Sequence, residues 1–257
     1  MGNITGIFDS HAHYNDGRYD EVRDELLNSM KNHGVDYIIN VGDDIKGSLQ
    51  SVELAEKYSF IYAAVGIHPH NCEKTPADYL TTLKNFTKKE KVVLIGEIGL
   101  DYYYEHSPRE LQKRFFEEQM QLAKELNLPV IIHSRDATED TLTVLKNFPS
   151  LRGVVHCFNG SAQTAEIILS LGYYIGFTGV VTFPKARKVV EAVEVVPLDR
   201  LFVETDCPYL APVPYRGKRC DSTMLPHTIA KIAEIKNESA QKIADVTREN
   251  VFNLFLS

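Results

Sequence analysis

The 257-residue chain lacks the segments that would carry a protein into or across a membrane. No apolar run approaches the roughly 20 residues that a membrane span needs. The first ten residues, MGNITGIFDS, contain no basic region followed by an apolar one, so no signal peptide is predicted. These absences predict a cytoplasmic protein that binds no membrane.

Cysteine and positive charge are also scarce. The four cysteines (Cys72, Cys157, Cys207 and Cys220) include no C-x-x-C pair, and without a secretory signal we expect reduced thiols rather than a disulfide framework. The net charge is −7, which excludes a generic basic face for nucleic acid. A local basic groove remains open.

What the sequence does contain is a regular alternation of short apolar runs with longer amphipathic segments. The runs, rich in Val, Ile, Phe and Tyr, are GIFDSH, DYIINVG, IYAAVGIH, VVLIGEIG, PVIIHS, GVVHCF, YYIGFTG and LFVETD. Such runs are typical of strands buried on both faces of a parallel sheet. An open doubly wound sheet is the alternative, but it normally has a Gly-rich phosphate turn where this chain has DSHAHY. We therefore predict an α/β fold, a (β/α)8 TIM barrel, as a single domain over residues 1–257.

Several helix boundaries can be predicted from capping residues. Gly34 is expected to end the first helix, and Ser161 to cap the helix that follows the sixth run. Ser107, Pro108 and Glu110 form the pattern of a capping box with proline at the first helical position.

Polar side chains stand at the ends of six of the eight runs. They are His11 and His13, His68 and His70, Glu97, His133, His156, and Glu204 with Asp206. Barrel enzymes place their active sites at these strand ends, and residues i and i+2 of a strand point the same way. So many buried imidazoles and carboxylates would need a metal or a tight hydrogen-bond network. Imidazole with carboxylate suits Zn, Mn, Co, Ni or Fe, and more than four ligands implies two ions.

The motifs DSHAH, GIHPH, GEIGLDYY, LPVIIHSRDA, HCFNG and ETDCPYLAPVPYRGKR occur in this order from about residue 7 to residue 219. Together they resemble the successive motifs of the TatD family of metal-dependent deoxyribonucleases, which are amidohydrolase-like barrels. The family pattern continues after GKR with Asn-Glu-Pro, whereas this chain has Cys220-Asp221-Ser222. That departure concerns the geometry of the loop and the fit of the substrate, and leaves the expected ligands intact.

The resemblance implies a set of metal ligands and a cofactor. His11 and His13 would bind a first metal together with Asp206, Glu97 would bridge two metals, and His133 and His156 would complete the second site. The expected cofactor is a pair of divalent ions per subunit, whether Zn, Mn, Mg, Co or Ni.

The function hypothesis is hydrolysis of DNA phosphodiester bonds by two-metal activation of water. Asp206 is expected to accept the proton of the attacking water, with Glu97 as the bridging carboxylate. Glu204 shares a strand face with Asp206, and either orients the site or makes a structural hydrogen bond. No stable protein partner is implied.

Two other functions are compatible with the motifs. The first is a metal-dependent hydrolase of the amidohydrolase-like type that acts on an ester, an amide or a phosphotriester. Such sites often use a bridging lysine, and Glu97 at the fourth strand favours the nuclease instead. The second is a non-catalytic metal-binding or partner-binding barrel, which would be expected to have lost one of the six ligands.

Candidate substrate contacts lie in the loops at the same end of the barrel. His68 could contact a phosphate or a metal-coordinated water, or pack within GIHPH. Arg135, Lys218 and Arg219 could hold phosphates without base specificity, or be ordinary solvated charges. Three further basic residues follow the seventh and eighth runs: Lys185, Arg187 and Arg216. The run Tyr102–Tyr104 could stack on nucleobases or pack the top of the barrel.

Overall fold

The computed structural model describes residues 4–255, and its eight parallel strands follow one another around a single sheet in chain order. The strands are β1 (Ile7–Ala12), β2 (Val35–Val41), β3 (Ile61–Val65), β4 (Val92–Asp101), β5 (Val130–Arg135), β6 (Gly153–Val155), β7 (Tyr174–Phe177) and β8 (Leu201–Val203). The chain after β8 returns to β1, where the N–H of Asp206 donates to His11 O at 2.9 Å. The predicted (β/α)8 barrel is confirmed.

Helices alternate with the strands as the sequence predicts. They are α1 (Arg23–Ser29), α2 (Ile45–Lys57), α3 (Tyr79–Phe86), α4 (Arg109–Leu126), α5 (Thr138–Asn147), α6 (Ala162–Ser170), α7 (Arg187–Val195), α8 (Leu225–Lys236) and α9 (Ala240–Phe255). Among residues 4–255, none of the helices is long and apolar enough to cross a membrane. The ends of the predicted domain, residues 1–3 and 256–257, lie outside the described residues.

Two of the three predicted helix boundaries are confirmed. Gly34 has a left-handed backbone (φ 79°) directly after the 3-10 turn that extends α1, and the Ser161 hydroxyl accepts from Thr164 N. The predicted capping box at Ser107 is wrong. Its hydroxyl instead bridges the segment after β3, donating to His70 O and accepting from Glu73 N, so it is not free to cap α4.

The interior of the barrel is filled with side chains. One buried cluster takes a residue from every strand and packs against the end of α9: Phe8, Ile39, Ala64, Leu94, Ile131, Val154, Tyr174 and Phe202. Phe252 and Phe255 of α9 contact Phe8 and Phe202 of this cluster, near the N-terminal ends of β1 and β8, and so cover that end of the barrel. The barrel is therefore open to a substrate at the C-terminal ends of its strands.

Two buried glutamines of α4 hold the backbone that leaves β3 and β4. Gln119 accepts from Ile67 N at 2.7 Å and donates to Ile67 O at 3.1 Å, directly before His68. Gln112 accepts from Asp101 N at 2.8 Å and donates to Asp101 O at 3.0 Å. Helix α4 thus fixes the start of two loops at the mouth of the barrel.

We expect Gln119→Leu to lower the free energy of unfolding by about 1–3 kcal/mol, because it leaves the buried N–H and C=O of Ile67 without partners. Urea denaturation followed by circular dichroism measures this change. Gln121→Leu is the matched control on the same helix, since Gln121 is exposed and should change stability by less than about 0.5 kcal/mol. Equal stability of the two variants would contradict this role of Gln119.

Candidate active site

His11 of β1 and His13, directly after β1, point together into the mouth of the barrel. The Nε2 atoms of His11 and His13 lie 3.0 Å apart, as their i, i+2 spacing on a strand predicts. His13 donates from Nδ1 to Val41 O at 2.8 Å, which fixes the ring and turns its Nε2 toward the cavity. His11 is fully buried.

Two carboxylates approach this pair from other strands. Asp206 Oδ1 lies 3.7 Å from His11 Nε2 and 3.4 Å from His13 Nε2. Glu97 Oε2 lies 3.5 Å and 3.7 Å from the same two nitrogens. The first predicted ligand group is therefore assembled from β1, from the middle of β4 and from the loop after β8.

The other oxygen of Glu97 faces a second set of histidines. Glu97 Oε1 lies 2.8 Å from His133 Nδ1 and 2.6 Å from His156 Nε2. His68 Nε2 is 3.6 Å from the same oxygen. A single buried carboxylate thus separates two groups of imidazoles, one on each of its oxygens.

The electrostatics of the cluster favour positive charge at both groups. Burial opposes the imidazolium of His13, but Asp206 and Glu97 outweigh burial and raise the pKa of His13 to about 9. Burial likewise opposes the imidazolium of His133, yet Asp101 and Glu97 raise the pKa of His133 to about 9. The opposite balance holds for Glu97. Burial raises the pKa of this carboxyl, but the surrounding histidines outweigh burial and hold the pKa of Glu97 well below its usual range. Protons or divalent cations can supply this positive charge.

The donor chemistry fits divalent metal ions. Among residues 4–255, three overlapping groups bring their donor atoms within 4.8 Å of one another: His11, His13 and Asp206; His11, Glu97 and His156; and His68, Glu97 and His133. Mixed imidazole and carboxylate donors suit Zn, Mn, Fe, Co or Ni. All six predicted ligands therefore lie in one cluster that could hold metal.

The cluster lies on the wall of an open cavity of about 800 Å³. Loops after β1, β2, β3, β4 and β8 surround this cavity. It therefore lies at the C-terminal ends of the strands, where the barrel is open to a substrate. A family model described as "TatD related DNase" matches residues 8–256 of the sequence. The chain belongs to the TatD family. The resemblance indicated by the ordered motifs is thus confirmed.

Relatives align with the TatD-family chain over nearly its whole length. "Uncharacterized metal-dependent hydrolase YabD" of Bacillus subtilis is 43% identical over 251 residues, covering 97% of this chain and 98% of that protein. "3'-5' ssDNA/RNA exonuclease TatD" of Rahnella sp. is 34% identical over 257 residues, covering 97% and 98%. The crystal structure of YjjV, a TatD homologue from Escherichia coli, superposes with a TM-score of 0.92 at 32% identity, covering 98% of both chains. As a TatD-family member, the chain is a metal-dependent hydrolase.

Further carboxylates of the TatD-family site stand behind the histidines. Asp101 Oδ2 lies 3.0 Å from His133 Nε2, on the side of that ring away from Glu97. Glu204 is fully buried and accepts from Ser10 Oγ and from Cys157 N, with Oε1 3.8 Å from His156 Nδ1. Glu204 does not line the cavity but contacts His156 and Cys157, which do, and this corresponds to the orienting and structural alternatives rather than to contact with a substrate.

Sequence reasoning missed Asp9, whose carboxylate binds the backbone of His11 and of Thr205, the residue before Asp206. This fully buried carboxylate accepts from the backbone N–H groups of His11 (3.3 Å) and Thr205 (3.0 Å) and from the hydroxyls of Thr205 (2.7 Å) and Ser222 (2.6 Å). Burial raises the pKa of Asp9 to about 6. The signal available was an acid within the apolar run IFDSH, since a buried charge needs several partners.

Ser222 occupies one of the positions that depart from the TatD-family pattern. Its hydroxyl donates to Asp9 and pairs with Tyr14 Oη at 2.7 Å, while Asp221 accepts from Thr223 N and caps a short 3-10 turn. Ser222 is thus hydrogen-bonded into the support of the metal-ligand cluster and contributes a donor that proline at this position would lack.

The predicted basic rim is only partly assembled. Arg135 lines the cavity, together with Lys46 at the start of α2, which the sequence did not single out. Lys218 and Arg219 do not line it: Arg219 donates to Arg18 O at 2.6 Å, and Lys218 lies beside Tyr215. The position of a loop residue in the sequence does not determine the direction of its side chain. Here the loop after β8 turns Lys218 and Arg219 away from the cavity. His68 and His70 do line the cavity.

Proposed function

We propose that this TatD-family chain hydrolyses phosphodiester bonds of DNA with two divalent cations. One would be held by His11, His13 and Asp206, the other by His133 and His156, with Glu97 shared between them. The observation that carries the proposal is the division of the two Glu97 oxygens between two imidazole groups, at 3.5–3.7 Å on one side and 2.6–2.8 Å on the other.

The charge of the cavity supports the number of cations. Among residues 4–255, six carboxylates and two cationic side chains line it: Asp16, Asp43, Asp44, Glu97, Asp101 and Asp206 against Lys46 and Arg135. With neutral histidines the lining repels an anionic substrate. Two divalent cations would neutralise the formal excess and allow a phosphodiester to enter.

Bound divalent cations lower the pKa of a water molecule and polarise the phosphoryl group. The chain itself supplies the acceptor for the water's proton. We assign this role to the carboxylate of Asp206, which lines the cavity, and whose low pKa, caused by His13 and His11 despite burial, keeps it ionised.

His68 and Arg135 are the side chains placed to hold the phosphate. His68 Nδ1 accepts from His70 N at 3.1 Å, so the neutral ring carries its proton on Nε2. Burial keeps this ring neutral, because it lowers the pKa of His68 well below its usual range. We therefore assign His68 as a hydrogen-bond donor to a phosphate oxygen, with the Arg135 guanidinium as a second contact.

The relatives support nucleic acid as the substrate. The Rahnella protein carries the name of a single-stranded DNA and RNA exonuclease, and the matched family is described as related to DNases. The lining of the cavity, with Arg135 and exposed tyrosines beside the metal-ligand cluster, is consistent with a nucleotide chain.

A substrate comparison tests the proposal. The purified protein is incubated with single-stranded DNA, duplex DNA, and ester, amide and phosphotriester substrates, first with EDTA and then with Mg, Mn, Co or Zn added back. We expect DNA cleavage that EDTA abolishes and that a divalent metal restores. Asp206→Asn protein, purified in parallel, controls for a contaminating nuclease. Turnover of an ester, amide or phosphotriester without DNA cleavage under any metal would overturn the nuclease assignment.

A further inference from the structure

Two half-exposed tyrosines stand on opposite walls of the cavity. Tyr104 follows β4 and is 52% exposed, and Tyr209 follows β8 and is 50% exposed. Strands β4 and β8 lie four places apart in the eight-stranded barrel, and both tyrosines line the cavity that the metal-ligand cluster also lines.

Each tyrosine is tied directly to an acid of the cluster. The N–H of Tyr104 donates to Asp101 Oδ1 at 2.9 Å, and the other oxygen of Asp101 contacts His133. The N–H of Tyr209 donates to Asp206 O at 3.0 Å. The backbone of each tyrosine is therefore anchored close in sequence to Asp101 or Asp206 rather than carried on a distant loop.

Each ring also carries an arginine. The Arg135 guanidinium lies 4.7 Å from the centre of the Tyr104 ring, and that of Arg18 lies 4.2 Å from the centre of the Tyr209 ring. Arg18 is held in place by Asp16 at 2.8 Å. Each guanidinium lies over one face of its tyrosine, and aromatic rings and arginines are the side chains with which proteins hold single-stranded nucleic acid.

We propose that Tyr104 and Tyr209 form an aromatic clamp that holds the unpaired nucleobases on either side of the scissile phosphate. This inference rests on the proposed nuclease function and deepens it. A base inside a duplex has both faces covered by its neighbours, so the aromatic clamp selects single strands or unpaired ends. Arg135, which lines the cavity, positions a phosphate next to the clamped bases.

The test compares a base-bearing single strand with one that carries abasic residues on both sides of the cleaved bond. In the wild-type protein we expect the base-bearing strand to have a kcat/KM higher by roughly 30- to 10⁴-fold, because the abasic strand loses two stacking contacts of the usual strength. Tyr104→Ala and Tyr209→Ala should each reduce this ratio through KM, and should leave cleavage of the abasic strand nearly unchanged. Tyr104→Phe and Tyr209→Phe keep the ring and should keep the ratio.

A binding measurement without turnover makes the result independent of catalysis. A short strand that contains 2-aminopurine and non-hydrolysable phosphodiester analogues is titrated with protein in the presence of the divalent metal, and we expect its fluorescence to be quenched by the wild type and not by the double variant Tyr104→Ala/Tyr209→Ala. Equal cleavage of base-bearing and abasic strands by the wild type would contradict the aromatic clamp and leave the nuclease standing. If the wild type does not cleave DNA but its quenching still depends on both rings, the proposed nuclease function is overturned and the aromatic clamp is retained. Absence of both signals overturns both proposals.

Discussion

Asp206→Asn is expected to reduce DNA cleavage by at least about 10³-fold while the barrel stays folded. Asparagine has the same shape, but its amide cannot accept the water's proton, and a positioned general base alone contributes about 10²–10⁴-fold. The substitution also removes the negative charge that lies 3.4 Å from His13. The backbone bond from residue 206 to His11 O does not depend on the side chain and remains. Single-turnover cleavage at saturating metal measures the loss.

The control for this prediction is Asp199→Asn. Asp199 is an exposed aspartate just before β8, and its replacement should leave the rate within about twofold. The thermal midpoints of both variants should stay close to that of the wild type. A rate for Asp206→Asn within about tenfold of the wild type would remove Asp206 as the proton acceptor.

The sequence could predict the fold and the composition of the cluster because both depend on periodic, local features. Continuous apolar runs identify buried parallel strands, and the C-terminal end of each run shows which side chains reach the mouth. His11 and His156 illustrate this, since His11 lies at the end of β1, His156 directly follows β6, and both meet Glu97 in the structure, although Glu97 itself lies in the middle of β4. No property of a distant partner was needed to place them.

Features that depend on long-range pairing were not predictable in this way. Ser222 donates to Asp9 across 213 residues, and Gln119 reaches Ile67 across 52. Nothing in the local sequence states which buried polar group will meet which partner, because the fold decides it. The same reason explains Ser107, whose capping pattern was complete but whose hydroxyl the neighbouring loop engages.

Long basic side chains near the mouth of the barrel are a third kind of feature, and the sequence predicted their direction only in part. The sequence treats Arg135 and Arg219 alike, as loop residues, but Arg135 is the last residue of β5 and Arg219 lies in the loop after β8. Arg135 lines the cavity, as its i, i+2 spacing from His133 on the strand predicts, whereas Arg219 donates to the carbonyl of Arg18. Loop conformation sets the direction of Arg219, and residue spacing along a loop carries no periodicity comparable to that of a strand. Polar residues at strand ends are thus stronger predictors of a barrel site than basic residues in its loops.

Glu97→Gln is expected to reduce turnover by at least about 10³-fold. It should also lower the metal content from two ions per chain to one or none. The reason is geometric: both Glu97 oxygens face imidazole groups, and an amide presents an oxygen to only one of them. The group that faces the amide NH₂ loses its anionic donor, and a nitrogen that carries two protons cannot bind a cation. Inductively coupled plasma mass spectrometry of dialysed protein counts the ions.

Thermal unfolding provides a second readout for Glu97→Gln. A cation at 100 times its Kd stabilises the folded state by about 2.7 kcal/mol, which corresponds to a rise of about 5–11 °C in Tm for a chain of this size. The wild type should show this rise when metal is added, and Glu97→Gln should show less than half of it. Glu117→Gln, an exposed site on α4, is the matched control and should behave as the wild type. Two ions and near wild-type turnover in Glu97→Gln would show that this carboxylate does not join the two sites, and a single ion in the wild type would contradict the two-cation proposal itself.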